Sequence, residues 1–443
     1  MKATLLICHG CIAIACAHDH PSHAATKKSP IDREIAKLEV LVKRPGGGPE
    51  AWVALGNARM QKTRDRIIHD FADAEAAFKK ALEIKADDAP ALTGMAWVKN
   101  SEHDFTAGKA WAEKALAADP MQTDAHALIG DGAVELGDYE LAYEHYRKAL
   151  RQRADLSSLS RMAHLLWTTG DAAHAKVLMQ QAIDAGGPYA ENAAWCRAEL
   201  ALMQFHSGAM LPAEQQAAQA MAAAPENPRV LAAMARILAA KKDYTRAIEL
   251  YGKSAAITPN HDALAGLALT YRVSGQEEKA KQYFDRVVAF HAAHVHQHDG
   301  GEAHSHSHPS GNAQLARFLA DHDKDLETAL KEAQASYEGY KNVGSIDTYA
   351  WCLHKAGKNE EALRMIRNAR RWNTPDAEIL FHAGMIHHAL KQTEAARQCF
   401  AKALSKNPSF HPIHAPMAAG MLAKANESLV KTDATADPAA AKP

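Results

Sequence analysis

One small residue returns along this chain at nearly constant intervals. Ala74, Gly108, Ala142, Ala175, Ala213, Ala247 and Ala280 follow one another at steps of 34, 34, 33, 38, 34 and 33. After a step of 49 come Ala329, Ala362 and Ala396, at 33 and 34. A second small residue tracks the first at Ala81, Ala115, Ala149, Ala182, Ala220 and Ser254, and again at Ala369 and Ala403. In several copies an aromatic residue lies between the two: Phe78, Tyr146, Tyr251, Phe284 and Phe400. Self-similarity at a fixed period decides the fold before any single residue does.

The punctuation says what each period contains. Gly137, Gly170, Gly208, Gly275 and Gly357 fall at mid-unit, where a glycine supplies the turn that ends a helix. Pro120, Pro225, Pro259 and Pro408 close units, since proline cannot continue the preceding helix and readily begins the next segment. The apolar residues, 47% of the chain, are largely alanine rather than valine or isoleucine, which favours closely packed helices over sheets. Each period therefore predicts a helix pair that cannot bury its apolar face alone, and stacked pairs would share one continuous core. The expected fold is all-α: an α-solenoid of about ten antiparallel helix pairs.

The units resemble the tetratricopeptide repeat family. The clearest is Ala125-His126-Ala127-Leu128-Ile129-Gly130, then Leu136-Gly137-Asp138-Tyr139, then Ala142, Tyr146 and Ala149. Another is Phe381-His382-Ala383-Gly384 followed by Ala396, Phe400, Ala403 and Pro408. The resemblance covers roughly residues 49–410 and divides as repeats 1–7 over 49–290 and repeats 8–10 over 313–410. Arg59, Lys99 and Ala133 stand where the family commonly has an aromatic late in the first helix. The first unit carries about six extra residues near Thr63-Arg64-Asp65-Arg66, and the eighth is the most degenerate. Residues 411–428 are expected to form a capping helix and 429–443 a disordered tail.

The resemblance also implies a concave face that receives a peptide or protein segment and is lined by first helices. In this register that face includes Asn57, Trp97, Asp131, Glu135, His164, Trp167, Phe205, His206, Arg236, Arg272, Trp351, His354 and His388. Aromatic anchors among a few charges suit recognition, although Trp97, Trp167 and Trp351 could equally pack between neighbouring helices.

The first residues carry a different signal. Met1-Lys2 precedes an apolar stretch from Thr4 to Ala15, too short to span a bilayer, and small residues follow. This is the layout of a cleavable secretory signal over residues 1–16. Ala15-Cys16-Ala17 fits an ordinary cleavage site, which would release a soluble protein. Ala13-Ile14-Ala15-Cys16 resembles a lipoprotein signal, in which Cys16 becomes the lipidated N-terminus and anchors the chain. Residues 17–48 read as a polar tether and a first helix. The expected location is the bacterial periplasm or outer membrane, with a lipid anchor as the only membrane attachment.

The step of 49 encloses a run of histidines. His291, His294, His296, His298, His304, His306 and His308 lie within eighteen residues, with Asp299 and Glu302 between them. Gly300-Gly301 and Pro309-Ser310-Gly311 read as a flexible loop over 291–312. Imidazole suits Zn, Ni or Cu ions, and a mobile loop could gather several rings around one of them. No cofactor is required by this reading.

No phosphate loop, nucleophile elbow, zinc-protease helix or dinucleotide fingerprint is present, and Gly46-Gly47-Gly48-Pro49 lacks the Lys-Ser/Thr of a phosphate loop. An enzyme is not expected. With 51 basic and 52 acidic residues there is no electrostatic reason to expect nucleic acid as a partner. The sequence therefore points to a protein-protein interaction scaffold of the cell envelope. The alternative is a metal-binding or metal-delivery protein that works through the histidine-rich loop.

Overall fold

The computed structural model describes residues 29–67, 70–187, 190–296 and 309–435. A leading helix, α1 (Pro30–Leu41), precedes ten helix pairs. The first five are α2 (Pro49–Arg66) with α3 (Ala72–Ile84), α4 (Ala89–Ser101) with α5 (Phe105–Ala118), α6 (Thr123–Glu135) with α7 (Tyr139–Gln152), α8 (Leu156–Thr168) with α9 (Ala172–Ala185), and α10 (Ala190–His206) with α11 (Met210–Ala223). The second five are α12 (Pro228–Ala240) with α13 (Tyr244–Ile257), α14 (His261–Val273) with α15 (Glu277–His296), α16 (Pro309–Asp321) with α17 (Leu326–Gly339), α18 (Val343–Lys355) with α19 (Asn359–Ala369), and α20 (Ala377–Ala389) with α21 (Thr393–Lys406). A last helix, α22 (His414–Thr435), closes the array. The expected all-α solenoid of paired helices is what the chain forms. Among the described residues no helix is long and apolar enough to cross a membrane.

Local chemistry sets the helix starts. Asp104, Asp138, Asp171 and Asp243 each precede a second helix and accept a hydrogen bond from a first-turn backbone N–H. That satisfies a donor which would otherwise lack a partner at the helix end. Pro49, Pro90 and Pro228 sit in the first turn of first helices, where a missing N–H costs nothing.

The recurring small and aromatic residues then explain the pairing. Ala74, Ala142, Ala175, Ala213, Ala247, Ala329 and Ala362 are all buried. The aromatic of the second helix presses into a glycine on a first helix. A Cβ built on Gly94 would lie 2.2 Å from Phe78, and one on Gly130 would lie 2.3 Å from Tyr146. Only glycine lets these helices approach so closely. Burying a ring such as Phe78 completely contributes roughly 2–3 kcal/mol.

First helices pack on the next first helix in every step except α14 to α16, and no second helix packs comparably on its successor. First helices therefore line the inner curve of the array. The curvature is tight enough for the array to meet itself. Asn342 Nδ2 donates to Glu135 Oε2 at 2.9 Å, Thr374 Oγ1 to the Thr168 carbonyl at 2.6 Å, and Asn407 Nδ2 to the Phe205 carbonyl at 2.7 Å. These partners are 202 to 207 residues apart, six repeat lengths. Units 3, 4 and 5 thus lie against units 9, 10 and the start of the cap, and one core cluster joins Tyr139, Met162, Val343, Ile366 and Ile379.

Two boundaries differ from the sequence expectation. Helix α15 runs on to His296, because no glycine or proline interrupts 276–299. The loop expected over 291–312 is thereby shortened, with α16 starting at Pro309. The capping helix begins at His414 and continues to Thr435 through a run of helix formers, into the stretch expected to be disordered. The extra residues of the first unit lengthen α2, whose buried Gln61 donates to Asn192 Oδ1 at 3.0 Å on α10.

A cleft on the concave face

The residues expected to line the inner curve fall into distinct groups. Asp131 is held by three hydrogen bonds: Tyr146 donates from its hydroxyl at 2.7 Å, and Arg161 Nε reaches both carboxylate oxygens at 2.8 and 3.0 Å. It braces α6, α7 and α8. Glu135 faces the contact between successive turns, where burial raises its carboxyl although Asn342 donates to it. His164 lies tilted beside Trp195 with ring centres 5.5 Å apart, and 3.7 Å from Glu199. Trp167 approaches the ring of His206 at 6.4 Å.

Two of the expected aromatic anchors are enclosed. Phe205 is 1% exposed and Trp351 is 2% exposed, so neither offers its ring to a partner. Both fill the core behind the curve, and Trp351 donates its indole N–H to Asp321 Oδ1 at 2.8 Å. Trp97 is half-buried in the second unit and packs against the cores on both sides of it. His354 stacks on Trp351 at 5.1 Å and pairs with Asn359. Asn57 and His388 are exposed, but the cleft described next includes neither of them.

Arg236 and Arg272 do come together. They line a cavity of about 310 Å³ bounded by α10, α12, α14 and α16 and floored by the link into α22. Arg229 and Arg317 join them, with Glu199, Asp262 and Asp321 as the acids and Tyr251, Leu269 and Phe318 as apolar walls. The guanidinium of Arg236 stands 5.7 Å from the centre of the Phe205 ring. Burial pushes His206, His261 and His322 below the usual imidazole range, so these rings are neutral at pH 7. The site offers fixed cations beside apolar walls. That suits a chain segment bearing a carboxylate next to an apolar side chain.

A charge cluster extends from the cleft through Arg317 and Asp321, and no motif in the sequence signals it. Arg317 reaches Asp347 at 2.9 Å and both Asp321 and Glu378 at 3.4 Å. His382 Nδ1 bonds the Asp347 carboxylate at 2.9 and 3.1 Å. Nothing local marked Arg317, Asp321, Asp347 or Glu378, which meet through helix packing.

Of the histidine-rich residues, His291 lies inside α15 and is buried, its Nε2 2.9 Å from His261 Nδ1. His294 and His296 belong to the end of that helix. His298, Asp299, Glu302, His304, His306 and His308 lie outside the described residues, as does Cys16.

Comparison with known proteins adds the following. Tetratricopeptide repeat family models match residues 123–155 and 377–410. The cellulose synthase operon protein C of Komagataeibacter xylinus is 30% identical over 129 residues, 28% of this chain and 10% of that protein. The cellulose synthase 1 operon protein C of the same organism is 30% identical over 132 residues, 29% of this chain and again 10% of its own length. The chain thus spans about a tenth of these relatives. Among solved structures, Pseudomonas aeruginosa PilF aligns over 54% of this chain and all of its own, with TM-score 0.40 and 20% identity. PilW, a type IV pilus biogenesis factor, aligns over 45% of this chain and 92% of its own, with TM-score 0.39 and 19% identity.

Proposed function

The chain is a tetratricopeptide-repeat protein, and on that premise we propose that it is an interaction scaffold of the bacterial cell envelope that holds an extended segment of a partner protein in the cleft. The observation that carries this reading is the cleft itself. Arg229, Arg236 and Arg272 converge beside Tyr251 and Phe318 on the inner face, where first helices present side chains in register. A partner segment with an acidic residue beside an aliphatic or aromatic one would pair with a guanidinium and fill the apolar wall. The export-type N-terminus supports an envelope location, with either an anchored Cys16 or release after cleavage.

Selection of displayed random peptides against the chain tests this. Enriched peptides should carry acidic and apolar residues together. Their binding should fall at least tenfold when Arg236→Glu and Arg272→Glu are combined, and should survive Lys253→Glu on the outer helix α13. Peptides that bind all three forms equally would refute the cleft. The alternative reading, metal handling through the histidine-rich segment, predicts instead that removing 297–308 abolishes the protein's role while peptide binding persists.

A further inference from the structure

The charge cluster beside the cleft contains the parts of a metal centre. Asp321 lies on α16, His382 on α20, and His414 is the first residue of α22. One ligand atom from each of these three lies within 4.8 Å of the other two. His382 is 0% exposed and His414 5%. His382 Nδ1 is engaged by Asp347, which leaves Nε2 as the free nitrogen; that atom is buried and has no hydrogen-bond partner. His414 has its Nε2 3.9 Å from Asp321 Oδ1 and its Nδ1 3.4 Å from Glu378 Oε1. His382 therefore has a carboxylate bonded at its far nitrogen, Asp347, whereas Glu378 stands 3.4 Å from His414 Nδ1, a buried atom that makes no hydrogen bond.

This is the arrangement in which histidines hold a metal ion. A carboxylate at the far nitrogen fixes the tautomer and aims the other nitrogen at the ion. The charge balance points the same way. Three carboxylates, the buried Asp347 and the partly buried Asp321 and Glu378, share the guanidinium of Arg317, with Arg236 at 3.9 Å from Glu378. Buried charges are paired or bind metal, and a divalent cation would supply the missing positive charge. His411 contributes otherwise: its Nδ1 accepts the backbone N–H groups of Ile413 and His414 at 3.2 and 3.1 Å and so caps α22.

We propose that Asp321, His382 and His414 bind one zinc-class divalent ion that fastens the capping helix to the eighth and tenth repeats. Two imidazole nitrogens and one carboxylate oxygen suit Zn²⁺, with a fourth position left for water or Glu378. Ligand atoms around a tetrahedral zinc stand about 3.3 Å apart, so the three side chains close inward by rotation when the ion enters. Because the ligands come from two repeats and the cap, ion binding and cap docking are one equilibrium. The site is separate from the histidine-rich segment, and its ligand Asp321 also lines the cleft.

The test uses the full chain with His294, His296, His298, His304, His306 and His308 changed to serine, which removes the histidine-rich cluster apart from the buried His291. Calorimetric titration with Zn²⁺ alone should show one ion per chain, with thermal stability rising as zinc is added. His382→Gln and His414→Gln should each remove that ion. Asp347→Asn, which leaves the three ligands in place, should weaken binding 10- to 100-fold, as loss of an outer-shell carboxylate does. Circular dichroism identifies any variant that fails to fold, and Asp321→Asn then takes its place. No stoichiometric zinc in the serine background, or unchanged zinc in the folded His382→Gln and Asp347→Asn chains, overturns the proposal.

Discussion

Val343 donates its backbone N–H to the phenolic oxygen of Tyr139 at 2.9 Å, joining two residues 204 positions apart in the chain. Both are buried, with Tyr139 at the start of α7 and Val343 at the start of α18. The bond holds one turn of the array to the next.

Tyr139→Phe keeps the ring and removes the acceptor. A buried N–H without a partner costs about 1–3 kcal/mol. Urea unfolding should show a loss of that size, and small-angle scattering should show a wider particle. An unchanged midpoint with unchanged dimensions would mean that the turns do not touch in solution.

The glycine turns separate the closing contact from ordinary strain. Gly137, Gly170 and Gly275 all have positive φ, at 78°, 93° and 76°. Alanine in that region costs roughly 1–2 kcal/mol at any of them. A Cβ at Gly137 would also stand 2.3 Å from the Lys341 carbonyl oxygen, and one at Gly170 2.6 Å from that of Trp372, whereas Gly275 meets nothing within 4 Å. Gly137→Ala and Gly170→Ala should therefore destabilise the chain measurably more than Gly275→Ala in parallel denaturant titrations.

His145 gives a pH dependence with a defined sign. Burial, then the neighbouring His126, lower its pKa from 6.5 to about 4; the two Nδ1 atoms stand 3.2 Å apart and cannot both carry protons facing each other. Lys148 and Lys109 act in the same direction and Glu144 against it. The unfolded chain takes up a proton at this position near pH 6.5 and the folded chain only near pH 4, so stability falls as pH drops through that window. Above pH 6.5 the contribution is flat. His145→Asn should flatten the melting temperature between pH 6.5 and pH 4.5, and an identical slope would exclude this residue as a source.

The described cysteines should be inert. Burial pushes the Cys196 and Cys352 thiols up to about 12 and raises that of Cys399. The thiolate is the reactive form, so a disulfide reagent at pH 8 should label these three only after denaturation. Rapid labelling of the native chain at any of them would contradict their packing.

The repeat was legible because it is local. Ala142, Tyr146 and Ala149 take part in contacts within one unit or with the next, and a 34-residue period records them directly. The closure onto itself was not legible. Asn342 and Glu135 are ordinary polar residues, and only accumulated curvature over six units brings them together. The concave face was read in part: Arg236 and Arg272 reach the cleft, while Phe205 and Trp351 turned inward, since apolar rings at first-helix positions can fill the core as readily as the groove. The cluster around Arg317 had no signature, because its members come from three repeats and the cap. The histidine run dominated the composition, yet its continuous helical start at His291 shows that imidazoles in sequence need not share a loop.

The most direct test of the scaffold reading is site-specific photocrosslinking in the cell that makes the protein. A photoreactive residue placed at Arg272 or Leu269 faces the cleft, and one at Glu249 or Lys253 stands exposed on α13. A discrete protein adduct from the cleft positions, absent from the outer ones and lost when Arg236→Glu is added, is the expected result. No adduct from the cleft, or the same adducts from both faces, would contradict a partner held on the concave side.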